Sequence, residues 1–130
     1  MKIQFIKLKK QKYKYKLIKT FFLKNDNSSL LNKKTINLDY ISINKSCITI
    51  KSGYEWDGAS GAIDTKTVMI PSLIHDALYQ CLEIGFINKK NRKKIDKLFY
   101  DLCIKNKMNS FRAKYMYLAV RLFYPIYRKL

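Results

Sequence analysis

The sequence predicts an α+β fold, with a small N-terminal antiparallel β-sheet packed against three C-terminal α-helices. Three observations carry the prediction. Residues 12–51 hold short runs in which apolar and polar side chains alternate, the period of a half-buried strand. Residues 71–124 switch to apolar spacings of three and four, the period of a helix. The strands precede the helices without interleaving, which separates sheet from helices. The 130 residues suit a single domain, strand-rich over 1–52, a glycine-rich loop over 53–70 and helical over 71–130. With 48% hydrophobic residues, including 10 Tyr and 7 Phe, such a chain fills a core without disulfides or metal.

The elements follow in order. Residues 12–23 read as a strand, since Lys12, Lys14 and Lys16 alternate with Tyr13, Tyr15 and Leu17. Residues 25–29 form a turn cluster. The Ile-rich runs 40–43 and 47–51 are two further strands, and the linker Asn44, Lys45 and Ser46 marks a hairpin only weakly because it lacks glycine. Three of the four glycines, Gly53, Gly58 and Gly61, then fall in one loop, where Asp57-Gly58 signals a turn and Trp56 is expected to anchor the loop to the core. Pro71 and Ser72 start a first helix, with Ser72 as its cap and Leu73, Ile74, Ala77, Leu78 and Cys81 on its apolar face; Gly85 ends it. A second helix covers 89–105 with Ile95, Leu98, Phe99, Leu102 and Cys103 inward. A third covers 110–124, with Phe111, Tyr115, Leu118 and Leu122 as its buried stripe and Pro125 weakening its end.

Charge is unevenly placed on this basic chain of net charge +18. Residues 1–24 carry nine Lys and no acid, and residues 87–130 carry thirteen Lys and Arg against Asp96 and Asp101. Between 53 and 88 the balance reverses: Glu55, Asp57, Asp64, Asp76 and Glu83 face a single Lys66, and the only histidine, His75, lies among them. The excess of cations points to polyanionic partners, nucleic acid or an anionic membrane, with Lys12, Lys14 and Lys16 as the candidate contacts. Lys greatly outnumbers Arg, however, and the abundance of Lys, Asn, Ile and Tyr matches AT-rich codons, so genome composition accounts for part of the charge. The odd set Cys47, Cys81 and Cys103 excludes paired CxxC zinc knuckles and argues for buried reduced thiols. No signal peptide and no transmembrane segment is visible, and reduced thiols suit a reducing cytoplasm.

The motifs Trp56-Asp57-Gly58-Ala59-Ser60, Ser72 with His75, Asp76 and Tyr79, Arg92 with Asp96 and Phe99, Arg112-Ala113 with Tyr115, and Val120-Arg121 with Phe123 together resemble the phage-associated domain-of-unknown-function family numbered 1353. The resemblance runs over residues 12–123 and departs at Ala62, where Pro is expected. It implies a bacteriophage or prophage origin, hence a host cytoplasm or virion, and a phage or host protein as partner. It implies no established activity.

The residues test several chemistries. A His-Asp metallophosphohydrolase divides its metal among several histidines, and one histidine excludes a complete site. A carboxylate-rich site for Mg²⁺, Mn²⁺ or a single zinc remains, with His75, Asp76 and Asp96 as metal ligands and Asp57 beside them. Catalytic candidates are His75, Asp76 and Asp57. Ser60 and Ser72 are poor nucleophiles, because the loop lacks the strand-turn-helix of a nucleophile elbow and Ser72 caps a helix. Helical spacing puts His75 and Tyr79, and Arg92 and Asp96, on shared faces. A helix hairpin would then gather Trp56, Asp57, Ser60, Ser72, His75, Asp76, Tyr79, Arg92 and Asp96 into one polar cluster that needs no cofactor. Three functions stay open: a non-enzymatic accessory or interaction protein, a small hydrolase with or without a divalent metal, and a polyanion-binding protein.

Overall fold

The computed structural model of the protein describes residues 1–9, 13–31, 35–58 and 65–129, with side chains through residue 122. Among the described residues, seven short strands are followed by three α-helices: β1 (Phe5–Lys7), β2 (Tyr15–Leu17), β3 (Phe21–Lys24), β4 (Ile36–Asn37), β5 (Ile41–Ile43), β6 (Cys47–Ile50), β7 (Glu55–Trp56), α1 (Lys66–Glu83), α2 (Arg92–Lys105), which a 3-10 turn at Lys89–Asn91 leads into, and α3 (Ser110–Lys129). This is the α+β class, with the strands in two antiparallel sheets, β1-β2-β7 and β3-β6-β5-β4.

The larger sheet builds its apolar face by register. Leu23 pairs with Ile48, Ile48 with Ile43 and Ile43 with Ile36, while Phe21 pairs with Ile50 and Ile50 with Ile41. All seven side chains are buried in the core that the helices share, and the alternate residues Phe22, Asn37 and Lys24 face out. The weakly marked linker at Asn44 does close a hairpin: its side-chain oxygen accepts from the backbone N–H groups of Ser46 and Cys47, both at 2.9 Å, doing locally what a glycine turn does by conformation.

The expected strand over 12–23 is two strands in two sheets. Leu17 exchanges backbone hydrogen bonds with Gly53 and Tyr54, whereas Phe21 already pairs with Ile50. The chain changes sheets between these points, and the connection from β6 to β7 changes with it. Gly53 makes the return at φ +100°, and a Cβ there would stand 3.0 Å from the Tyr40 ring.

Helix α1 begins at Lys66, before the expected start at Pro71. Pro71 removes the N–H that would reach back to Thr67, a single bond, and the helix runs through it. Ser72 therefore sits inside the helix and caps nothing: its hydroxyl donates to the Met69 carbonyl at 3.0 Å. Gly85 ends α1 at φ +91°, with the N–H groups of Phe86 and Ile87 turning back to the Cys81 carbonyl. Helix α3 likewise runs past Pro125 to Lys129. The carbonyl that Pro125 cannot serve is that of Arg121, and Arg92 donates to it from Nη1 and Nη2 at 3.5 and 3.4 Å.

The expected burial holds for α2 at Ile95, Phe99, Leu102 and Cys103, while Leu98 is only partly buried against the core. It is reversed for α3. Ala113 and Met116 are buried, and Phe111, Tyr115, Leu118 and Leu122 are 82, 64, 49 and 64% exposed. Small Ala113 faces the core and lets α3 approach it, while the larger line points away.

After α2 the chain turns at Lys107 with φ +67°, and Met108 N–H closes on the Cys103 carbonyl at 2.9 Å. This is a glycine position held by a lysine. Replacing Lys107→Gly relieves the left-handed backbone and is expected to raise stability by about 0.5–1 kcal/mol in urea denaturation; a loss of stability would contradict the strain.

Candidate functional site

The polar residues separate into two groups and a pin. The larger group centres on Asp96, which α2 buries completely. His75 Nε2 lies 2.7 Å and Tyr79 Oη 2.5 Å from Asp96 Oδ1, and Arg121 Nη1 lies 2.6 Å from Oδ2. Arg92 Nη1 stands 3.7 Å from the same Oδ2. One carboxylate thus receives groups from α1, α2 and α3. Burial alone would push the Asp96 carboxyl up; the hydrogen bonds from His75 and Tyr79, the His75 charge and the Arg121 hydrogen bond outweigh it and hold the carboxyl below its ordinary range. An ionised Asp96 only accepts, so Nε2 of His75 carries the proton that it shares. The imidazole is wedged between Tyr79 and Phe99, with ring centroids at 4.1 and 5.0 Å. Burial first, then the hydrogen bond to Asp96, raises the Tyr79 hydroxyl well above its usual range, so it stays a donor.

The pin is Trp56, which β7 places against α1. Its indole Nε1 donates to Ser72 Oγ at 3.1 Å, and its ring packs with Phe5 and Tyr15. Ser72 passes the bond on to the Met69 carbonyl, so neither group is left unpaired in the core.

The second group is Asp57 with Asp76. His75 and Asp76 are neighbours in α1, but successive helical side chains diverge by about 100° and the two join different groups. Burial pushes the Asp76 carboxyl up to about 7; a hydrogen bond from the Asp57 backbone N–H opposes this, and the negative charge of Asp57 adds to it. Asp57 Oδ1 accepts from the Lys14 backbone N–H at 3.2 Å, which links the turn before Gly58 to the smaller sheet.

His75, Asp76 and Asp96 therefore do not form the common ligand set expected of a metal site. Among the described residues no three His, Cys, Asp or Glu side chains converge as a metal ion requires. The oxygens of Asp96 carry donors that a cation would have to displace. Ser60 and Lys12 lie outside the described residues. Lys14 and Lys16 are exposed, but Lys16 pairs across the sheet with Glu55, which offsets part of the cationic face. Cys81 and Cys103 are buried thiols pushed up to about 12 by burial, Cys103 being eased slightly by Arg112, and neither is a ready nucleophile.

Arg121, which reaches Asp96 from α3, is not among the residues that helical spacing gathers into the polar cluster, although its motif with Val120 and Phe123 is part of the family likeness. Its signal in the sequence is its identity: only four of the 27 basic residues are Arg, and two of them, Arg92 and Arg121, meet at Asp96.

A family model described as "Protein of unknown function (DUF1353)" matches residues 34–120, more than half of the chain, and the chain belongs to this family. The matched stretch is shorter than the resemblance suggested: β1, β2 and β3 precede it, and it takes in His75, Tyr79, Arg92 and Asp96. No curated protein and no solved structure matches. No described helix is long and apolar enough to cross a membrane.

The two carboxyls predict opposite pH dependences. Asp76, raised above its unfolded value of 3.8, contributes stability fully below that value and loses it as pH rises through about 7. Asp96, lowered, contributes above that value and loses it as pH falls through its folded pKa. Because Asp76 is only partly buried, Asp76→Asn is expected to gain about 1 kcal/mol on the wild type between pH 5 and pH 8 in paired urea titrations. Parallel curves would show that Asp76 does not titrate there.

Proposed function

We propose that this member of the DUF1353 family is a binding protein and not an enzyme, and that its polar cluster is the lock that holds three helices together. One observation carries the proposal: both oxygens of the fully buried Asp96 are occupied, by His75 and Tyr79 on one and Arg121 on the other, with Arg92 close by. A carboxylate that itself acts on substrate must offer it, or a bound water, an oxygen; this one is turned inward to its own helices. The likeness of its motifs to phage proteins supports an accessory role in a phage or prophage, in the host cytoplasm or the virion, with a phage or host protein as partner.

A second reading is a small hydrolase. The 2.7 Å His75–Asp96 pair favours it, because a carboxylate that orients an imidazole is what a general base needs, and Asp76, raised to about 7 beside Asp57, would add an acid near neutrality. Against it, Arg121 and Arg92 already balance the charge that Asp96 would lend to an imidazolium.

Stability separates the two. A lock loses stability when a member is removed, whereas a catalytic group can be removed with little loss or even a gain. Equilibrium unfolding in urea is expected to show His75→Gln destabilised by about 1–3 kcal/mol. Asp96→Asn leaves two partly buried guanidinium groups without their counter-charge, and about 3 kcal/mol, the low end for a buried pair, is expected. Wild-type stability in both variants would reject the lock and favour the hydrolase.

A further inference from the structure

We propose that the outer face of α3 docks on the surface of an anionic lipid bilayer. The proposal rests on the reading of the chain as a binding protein and names what this part of it binds. Phe111, Tyr115, Leu118 and Leu122 recur at intervals of four, three and four, so they form one line along the helix, roughly 16 Å long. They are 82, 64, 49 and 64% exposed. The opposite side of α3 is already used, with Ala113 and Met116 buried and Val120 packed against the core. The helix is apolar on two sides, and the fold accounts for one. Other exposed apolar side chains, such as Ile18, Phe22 and Tyr40, lie on separate strands and bends and do not extend the line.

Charge decides what covers it. The sequence of α3 contains Arg112, Lys114, Arg121, Arg128 and Lys129 and no acidic residue. Arg121 is engaged with Asp96, but Lys114 beside the line and Lys107 before the helix are exposed. A second copy of this face would bring cations against cations, on chains of net charge +18, with no carboxylate on the helix to relieve them. Nucleic acid would satisfy the lysines and leave Leu118 and Leu122 unused. An anionic bilayer takes both parts. Its phosphates meet the lysines, and the boundary between headgroups and acyl chains admits Phe, Leu and the amphipathic Tyr115. A fluid interface also accepts a convex helical ridge, whereas a protein partner would need a matching groove.

Flotation of the full chain with phosphatidylcholine–phosphatidylglycerol vesicles at physiological salt tests the proposal. The wild type is expected to float with these vesicles, and about tenfold less with phosphatidylcholine alone. The double variant Phe111→Ser with Leu122→Ser changes only exposed positions, so its melting should match the wild type while its vesicle binding falls about tenfold or more. A second variant, Phe111→Trp, should be quenched by lipids brominated on their acyl chains. Failure of the wild type to float with anionic vesicles overturns the proposal. So does binding that the double variant leaves unchanged, or a self-association in solution that the double variant abolishes in place of vesicle binding. The lock around Asp96 is measured by unfolding without lipid, so its failure and the failure of membrane docking are read separately.

Discussion

A carboxylate taken out of water must be given back the hydrogen bonds that water supplied, and the arrangement of the three helices follows from that requirement at Asp96. Its neighbours come from α1 through His75 and Tyr79, from the start of α2 through Arg92 and from the middle of α3 through Arg121. Apolar packing alone tolerates rotation of a helix about its axis; a charged pair at 2.6 Å does not. Arg92 extends the constraint into the backbone, since its guanidinium also donates to the carbonyl that Pro125 leaves without its helical partner. A proline that reads as a helix terminator is thereby accommodated within α3, and its cost is borne by a residue at the start of another helix.

How much of this is legible in the sequence depends on the range of the cause. The strand pattern in β5 and β6 and the glycine terminator of α1 are local, and both are where alternation and conformational freedom put them. The start of α1 is different: proline is tolerated inside a helix when one lost bond is outweighed by packing, and the burial of Pro71 and its neighbours is a property of the whole fold. The orientation of α3 is non-local too. Periodicity finds two apolar lines on this helix, and prefers the larger one for the core; the tie from Arg121 to Asp96 and the close approach at Ala113 turn the smaller one inward.

The polar site shows the same division. The spacing of His75 with Tyr79, and of Arg92 with Asp96, does place each pair on one helix face, and those four residues meet. Asp57 and Asp76 meet each other elsewhere, and Trp56 with Ser72 forms a third contact. What an acidic stretch of sequence suggests as one pocket is three connections, each tying a different part of the chain to α1. The apolar side of α1 alone would not specify which strand or helix lies against it; the polar bonds do so because each accepts one partner geometry.

The Trp56–Ser72 contact has an optical consequence. The chain has a single tryptophan, and that residue is 1% exposed at the seam between the smaller sheet and α1. Its emission therefore reports one event, the parting of that seam, and carries no direct signal from the Asp96 junction among the helices. Coincident fluorescence and far-ultraviolet dichroism transitions would mean that the seam and the helical junction come apart as one cooperative unit, while a dichroism change that precedes the fluorescence change would mean that the helices loosen while the sheet still grips α1.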